Sequence, residues 1–114
     1  MNKDQYAEKV ISLISTRRTV SFIEIENMLS SHIDVKGNIA MCLPKYPTIV
    51  LWANMSQQFF DIMIEVLKTK KVSPKSTDPL VYAMDGKLLK FPIAKSARQY
   101  KEEHWLPVVF NPSS

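Results

Sequence analysis

The side chains that most often perform chemistry are few in this sequence and widely separated. His32 and His104 lie 72 positions apart, and with Cys42 they make three potential zinc ligands whose spacing matches no known zinc site. Asp61 and Glu65 fall four residues apart on one face of an expected helix, but carboxylate metal sites on helices add a histidine or a second carboxylate pair. We therefore predict no metal ion.

The sequence also lacks residues arranged for acid/base catalysis or for phosphate binding. Glu102, Glu103 and His104 are neighbours in an expected extended tail, where adjacent side chains do not face one another. Gly37 and Gly86 stand alone, without the glycine-rich spacing of a phosphate-binding loop. With no positioned acid, base or nucleophile, the sequence predicts a protein that is not an enzyme and that has no cofactor.

Basic residues are the functional group that the sequence does concentrate. Residues 68–114 hold nine Lys/Arg and four Asp/Glu, whereas residues 1–67 hold six and seven. This asymmetry fits weak or non-specific nucleic-acid binding, and a solvated basic surface is the equal alternative. Helix ends and wings commonly contact phosphate. The candidate nucleic-acid contacts at such positions are Arg17, Arg18, Lys68, Lys70, Lys71, Lys75, Lys87 and Lys90.

Length and composition limit the class of protein. The chain has 114 residues, of which 46% are hydrophobic and 23% charged, as in an ordinary globular domain. No apolar run approaches the roughly 18 residues of a membrane span, and the N-terminus lacks a signal-peptide pattern. One cysteine excludes an internal disulfide. We expect a single cytoplasmic domain over residues 1–114, with a basic and aromatic C-terminal extension over 94–114 and no membrane partner.

Local signals predict two helices before residue 32. The first is expected to begin at an Asp4 cap and to end near Thr16. Ser21 and Glu24 have the spacing of a capping box, which begins a second helix that runs to about residue 31. Glu26 in this helix is expected to face solvent.

Two apolar runs and a third helix follow. The runs NIAMCLP and TIVLWANM flank Pro44 and Pro47, which exclude a continuous helix and favour an extended segment or loose hairpin. A short helix over 37–43 is the alternative. Ser56 is the expected cap of a helix that ends near Lys71, where lysines suit the negative end of the helix dipole. Residues 72–79 are expected to form a polar loop.

The clearest local signal is LVYAM-DG-KLLKFPI, in which Asp85 and Gly86 separate two apolar runs. Such a dipeptide predicts a two-residue hairpin turn. Its pairing places one set of side chains over the core: Leu80, Tyr82, Leu89 and Phe91. Residues 105–110 are expected to be an extended segment packed on the domain.

The third helix has an unusually wide apolar face. At 100° per residue its apolar side chains fill an arc of roughly 200°, whereas packing on one side of a small domain needs little more than 100°. Asp61 and Glu65 on the remaining face would repel phosphate. Either the insertion at 37–55 covers the extra flank, or the helix contributes to a protein-binding surface. The candidate partner-binding residues are Trp52, Phe60, Ile64 and Trp105.

The order of these elements predicts an α+β, winged-helix-like fold. Three helices and a short strand precede a β-hairpin wing over about 80–91, and an extended insertion separates helices 2 and 3. The third helix lies in the recognition position of that fold.

Three stretches also resemble a known family: LWANMS (51–56), YAMDGKLLKFPIAK (82–95) and YKEEHWLPVVF (100–110). They are similar to small proteins of phages and mobile elements of Gram-positive bacteria. Among these are the accessory "middle proteins" encoded between an A-family DNA polymerase and a helicase on staphylococcal cassette chromosomes. The resemblance implies a winged-helix-like subunit that binds the polymerase and lets it begin primers. It assigns no functional residue.

Two functions remain open at this point. The first is a non-enzymatic accessory protein of a mobile-element DNA-replication module, with an A-family DNA polymerase as the candidate protein partner and auxiliary nucleic-acid contact. The second is a winged-helix transcriptional regulator that binds duplex DNA.

Overall fold

Two capped helices begin the chain. In the computed structural model, which describes residues 1–113, α1 spans Lys3–Arg17 and α2 spans Phe22–Leu29. The predicted capping box of α2 is confirmed, because the Glu24 amide donates to Ser21 Oγ at 3.2 Å. Helix α1 is capped by Asn2 and not by Asp4, since Asn2 Oδ1 accepts the Gln5 amide at 2.9 Å and the Gln5 side chain accepts the Asn2 amide in return.

The insertion after α2 is the predicted hairpin. Its strands are β2, Lys36–Cys42, and β3, Ile49–Met55, paired antiparallel. The alternative of a helix over 37–43 is wrong, because the two prolines of the connection and the alternating apolar residues favour strands. Irregular register in β2 brings Gly37 against β3, where a Cβ would lie 2.5 Å from the Met55 carbonyl oxygen. Only glycine permits this approach.

The third helix, α3, spans Gln57–Lys68 and begins at the predicted cap, where Ser56 Oγ accepts the Phe59 amide at 3.1 Å. The chain then enters β4, Val72–Ser76. The prediction of a polar loop here is wrong. Strand β4 buries only its first residue and is exposed along the rest, so it lacked an alternating hydrophobic pattern.

The predicted β-hairpin over 80–91 is also wrong. Leu80–Ala83 forms a fourth helix, α4, so the described residues contain four helices and not three. The Asp–Gly dipeptide ends this helix: the Gly86 amide donates to the Ala83 carbonyl at 2.9 Å, and Gly86 has a φ of 71°. A left-handed glycine serves a helix C-terminus as well as a hairpin turn, so the local signal was ambiguous.

Within residues 1–113, six strands form two sheets in an α+β arrangement, which confirms the predicted class. The first sheet has the order β1-β6-β4, with β1 at Val20–Ser21 and β6 at Val108–Pro112, all antiparallel. The second has the order β2-β3-β5, in which β5, His104–Trp105, is parallel to β3. The predicted extended segment near the C-terminus is confirmed, and β6 is the central strand of the first sheet.

The core joins the two sheets through a cluster of aromatic rings, here called the core ring cluster: Phe22, Trp52, Tyr82, Trp105 and Phe110. Phe22 stacks on Trp52 with centroids 5.6 Å apart, and Tyr82 meets Trp105 edge to face at 5.3 Å. The Tyr82 hydroxyl donates to the Val108 carbonyl at 2.6 Å and accepts the Phe22 amide at 3.1 Å. Burial raises the pKa of Tyr82, so its hydroxyl stays protonated.

Candidate partner groove and nucleic-acid interface

An apolar groove lies beside α3, between the hairpin of the second sheet and the edge of the first. Its volume is about 340 Å³. It is lined mainly by apolar side chains of α3 and β2 and by the edge strand β4: Met41, Cys42, Leu43, Pro44, Leu51, Ile64, Leu67, Lys68 and Pro74. A second groove of about 290 Å³ shares Leu43, Leu51 and Pro74 with it and reaches Lys95. The two therefore form one elongated surface, called the apolar groove below.

The groove accounts for part of the wide apolar face of α3. Four apolar residues of the helix are fully buried in the core: Phe59, Ile62, Met63 and Val66. Phe60, Ile64 and Leu67 are only half-buried. Strand β2 packs against α3, so the insertion covers much of the extra flank but leaves Ile64 and Leu67 at the groove wall.

Cys42 lines the groove as an ordinary thiol. Burial, with a smaller effect of the negative charge of Glu103, raises the pKa of Cys42. A thiol with a raised pKa carries little thiolate near neutral pH and is a weak nucleophile. Cys42 therefore acts as part of the apolar lining.

Four of the eight candidate lysines and arginines come together at the end of α3. Lys68 ends the helix and lines the groove, Lys70 and Lys71 lie in the turn that follows, and Lys75 lies on β4. All four side chains are exposed. Among the four, Lys68 lines the groove, whereas Lys75 follows the groove-lining Pro74 on β4 and points to the opposite face of the sheet. Lys68, Lys70 and Lys71 are called the basic rim below.

The arginines at the end of α1 lie on a different part of the molecule. Arg17 pairs with Glu24 across a distance of 3.2 Å, which joins the end of α1 to the first turn of α2. Arg18 is the left-handed C-cap of α1, with a φ of 71°. Both side chains are exposed, but Arg17 already has a carboxylate partner.

Lys87 also has a partner, and that partner corrects a prediction. Glu26 was expected in solvent but is 5% exposed. Its carboxylate accepts the Trp52 indole N–H at 2.7 Å and lies 3.4 Å from Lys87 Nζ. Glu26 is buried because the insertion places Trp52 over the outer face of α2. The buried indole N–H of Trp52 needs a hydrogen-bond acceptor there. Lys87 thus neutralises a buried carboxylate, while Lys90 is exposed.

The two tryptophans proposed as partner contacts are in the core. Trp52 is 3% exposed and Trp105 is fully buried, with its indole N–H donating to the Leu51 carbonyl at 3.3 Å. They pack on the other rings of the core ring cluster, so the prediction that their side chains face a partner is wrong. Ile64 and Phe60 keep partial exposure.

The two acidic residues of α3 have partners within the domain. Glu65 pairs with Lys3 of α1 at 3.6 Å, and Asp61 accepts the Gln57 side-chain amide at 2.8 Å. The carboxylates on the polar face of α3 therefore interact with side chains of α1 and of α3 itself. It offers no cluster of donors for reading base edges.

One group of surface side chains was not predicted from the sequence. Tyr100 stacks on His104 with ring centroids 4.0 Å apart and an angle of 18°, and the Arg98 guanidinium lies 4.8 Å from the centre of the Tyr100 ring. We call Arg98, Tyr100 and His104 the surface stack. A period-two pattern in β5 offered a signal, because an inward Trp105 requires an outward His104.

Other kinds of site find no support in the structure. Within residues 1–113, no group of three or more His, Cys, Asp or Glu side chains is placed to hold a metal ion. None of the helices in the same residues is long and apolar enough to cross a membrane. The chain matches no model of a known protein family, no curated protein and no solved structure.

Proposed function

We propose that this chain is a non-enzymatic accessory protein that binds a partner protein in the apolar groove and contacts nucleic acid with the basic rim. The observation that carries the proposal is the position of Ile64 and Leu67 on the wall of an open apolar groove. Apolar surface of this kind, bordered by polar residues, is typical of protein-binding sites.

The charges around the groove specify the partner segment. Lys68 and Lys95 are among its lining residues, and none of the described lining residues is acidic. A short segment with two or three apolar side chains flanked by Asp or Glu fits both the floor and the rim. The apolar side chains supply affinity, and the charges supply orientation and speed of association.

The arrangement of the first sheet supports a winged-helix-like core. Helices α1, α2 and α3 with the strand order β1-β6-β4 have the sequence of a helix, a short strand, two helices and a returning pair of strands. In this interpretation β4 and β6 form the wing, and residues 77–107 are a long insertion at its tip. The hairpin β2–β3 is a second insertion, which precedes the recognition-position helix.

The resemblance to accessory proteins of staphylococcal cassette chromosomes names a candidate partner. It implies that the partner is the A-family DNA polymerase of a mobile-element replication module, and that the complex aids priming. A cytoplasmic accessory protein with a docking groove and a basic rim suits that task, because it brings an enzyme and a polyanion to one surface.

The proposal is tested by placing a charge in the groove. Ile64→Asp buries a carboxylate against apolar side chains of the partner, and we expect at least about a 10- to 100-fold loss of affinity for the polymerase of the host element. The affinity is measured by isothermal titration with purified proteins. Leu80→Asp is the matched control, because Leu80 is 64% exposed and lies outside the groove. Equal binding by Ile64→Asp and wild type would contradict the proposal.

A transcriptional regulator is the second candidate, favoured by α3 in the recognition position and by the lysines at its end. It predicts a sequence-specific gel shift with duplex DNA that charge reversal of Lys68, Lys71 and Lys75 abolishes. Purely non-specific, salt-sensitive binding would count against it. The Glu65–Lys3 ion pair favours the accessory protein, because it keeps an acidic residue on the helix that would enter the groove of DNA.

A further inference from the structure

The surface stack is held in place by two strands. His104 lies on β5 opposite Ile49 of β3, and its amide donates to the Thr48 carbonyl at 2.8 Å. Tyr100 exchanges two hydrogen bonds with Thr48, at 3.1 and 3.3 Å. The Tyr100 hydroxyl donates to the Ser96 carbonyl at 3.1 Å. The two half-buried rings therefore have a fixed position, and Tyr100 also packs against the core. The exposed side chain of Arg98 lies over the Tyr100 ring.

The turn before Thr48 carries a further ring and a cation, and the segment around Tyr100 carries others. Tyr46 begins the turn that leads to Thr48, and Lys45 Nζ lies 5.6 Å from the centre of the Tyr46 ring. Lys95 and Lys101 are exposed on either side of Tyr100 in the sequence. Glu102 and Glu103 are the opposing charges in this segment, and both are exposed. Within residues 95–104 these two charges are outnumbered by three cations: Lys95, Arg98 and Lys101.

This basic and aromatic region continues into the apolar groove. Pro44 lines the groove together with Lys68, and Lys45 follows Pro44 directly. Lys95 lines the neighbouring part of the same groove. Ser96 lines this same part of the groove, and its carbonyl accepts the Tyr100 hydroxyl, so the surface stack adjoins the groove on the side of Lys95.

We propose that the surface stack binds the unpaired bases of single-stranded nucleic acid, while the exposed lysines of the same segment, Lys95 and Lys101, contact its phosphates. The inference rests on the nucleic-acid contact in the proposed function and specifies its ligand. Exposed aromatic rings beside cations are the usual means of holding a single strand, because every base has a π-face and every nucleotide a phosphate.

The planar geometry explains why the ligand is single-stranded. Bases in a duplex are stacked on each other and present only their edges, so a ring on the protein surface has no base face to meet. Arg98 already covers the face of Tyr100 as a planar guanidinium. A base takes that place when Arg98 swings toward a phosphate, or it stacks on the guanidinium itself.

The test uses the full-length chain and a fluorescent oligothymidine of about 12 nucleotides, a length within the usual range of single-strand sites. Fluorescence anisotropy at low salt measures the dissociation constant. We expect Tyr100→Ala and His104→Ala each to weaken binding by about 5- to 100-fold, the loss that follows removal of one stacking ring. Tyr100→Phe retains the ring and is expected to bind like wild type.

Two controls separate stacking from charge and from folding. Lys9→Ala removes an exposed cation of α1, away from the stack, and is expected to leave the affinity within about twofold. Ring-proton NMR of the wild-type chain reports on stacking without any substitution, and the resonances of Tyr100 and His104 are expected to shift upfield as the oligonucleotide is added.

Several results overturn the inference: no binding at low salt, equal binding by wild type and both ring-to-alanine variants, or equal competition by a blunt-ended duplex without a loop. Absence of the ring-proton shifts does so even if Tyr100→Ala fails to fold. The outcome is independent of the partner protein. Ring-dependent binding without a polymerase complex supports the inference and rejects the accessory function, whereas a polymerase complex without ring-dependent binding does the reverse.

Discussion

Two aromatic groups in this molecule sit side by side and have opposite environments. Trp105 is fully buried in the core ring cluster, and His104, the residue before it on β5, points outward into the surface stack. Both groups also contain a tyrosine, Tyr82 inside and Tyr100 outside. Inside, each polar atom on a ring has a protein partner. Outside, the two rings are half-buried, stack on each other and have the exposed Arg98 over one of them.

The contrast teaches that residue type alone does not separate a structural ring from a binding ring. The alternation of side chains along a strand does, because successive residues point to opposite faces of the sheet. The same contrast holds for the lysines: Lys87 neutralises buried Glu26, while Lys68 is free to meet a ligand at the groove.

The largest expected effect separates the two rings of β5. Trp105→Ala leaves a cavity in the core ring cluster and is expected to lower the free energy of unfolding by about 3–5 kcal/mol. His104→Ala removes only a surface contact and is expected to change it by less than about 1 kcal/mol. Urea denaturation followed by circular dichroism measures both. A similar loss for the two variants would show that the surface stack is structural.

The next effect separates the two tyrosines. Tyr82→Phe removes the hydroxyl that joins Val108 to Phe22, which leaves two buried backbone groups without a partner and costs about 1–3 kcal/mol. Tyr100→Phe removes a hydroxyl at the surface and is expected to cost less than about 0.5 kcal/mol. Equal stability of Tyr82→Phe and wild type in urea would contradict the bridging role of this hydroxyl.

The lysines provide a smaller test of the same idea. Lys87→Ala leaves the buried Glu26 carboxylate with only the Trp52 indole, and we expect a loss of about 1–2 kcal/mol, reduced by the partial exposure of Lys87. Lys90→Ala is the matched control, since Lys90 is exposed and is expected to contribute less than about 0.5 kcal/mol. Thermal unfolding at constant pH compares the two.

The smallest expected effect is a difference between the pH values at which the two tyrosines lose their protons. Hydrogen bonding to Arg98 lowers the pKa of Tyr100, whereas burial raises the pKa of Tyr82. As pH rises toward the usual tyrosine value of about 10, Tyr100 is expected to ionise early and Tyr82 to remain protonated. Phenolate absorbance detects the first step, and Tyr100→Phe is expected to remove it.

The opposite shifts also have opposite effects on stability. Tyr82 holds its proton more tightly when folded, so its contribution is present below the unfolded pKa and is lost as pH rises above it. Tyr100 loses its proton more readily when folded, so alkaline pH adds its contribution. The alkaline loss of stability is therefore expected to be smaller in Tyr82→Phe than in wild type.

Much of the fold was predictable from local patterns. The caps at Ser21 and Ser56 and the proline-separated strands of the hairpin are confirmed. These signals are local: a cap depends on a side chain and an amide three residues away, and a proline in a helix interior removes a backbone donor and breaks or kinks the helix. Strand β4 gave no such signal, because its exposed residues pair only with β6.

The candidate site was predictable only in part. Ile64 and Lys68 were selected from the face and the end of α3, and both line the groove. The alternation of β5 signalled an outward His104, but its stacking on Tyr100 had no local signal, because Thr48 at the start of β3 holds both residues in place. The surface stack was therefore not predicted, although the sequence contains all of its residues.

The sequence by itself predicted the first three helices, and it favoured extended chain both after α2 and near the C-terminus, because short-range hydrogen bonds and periodicity specify them. Tertiary structure decided the rest. Tyr82 bonds across 60 residues to Phe22, and Trp52 across 26 residues to Glu26. Those long-range bonds accompany a helix where a hairpin was expected and a buried carboxylate where an exposed one was expected. A buried polar group must find its partner wherever the fold supplies one, and no local pattern records that requirement.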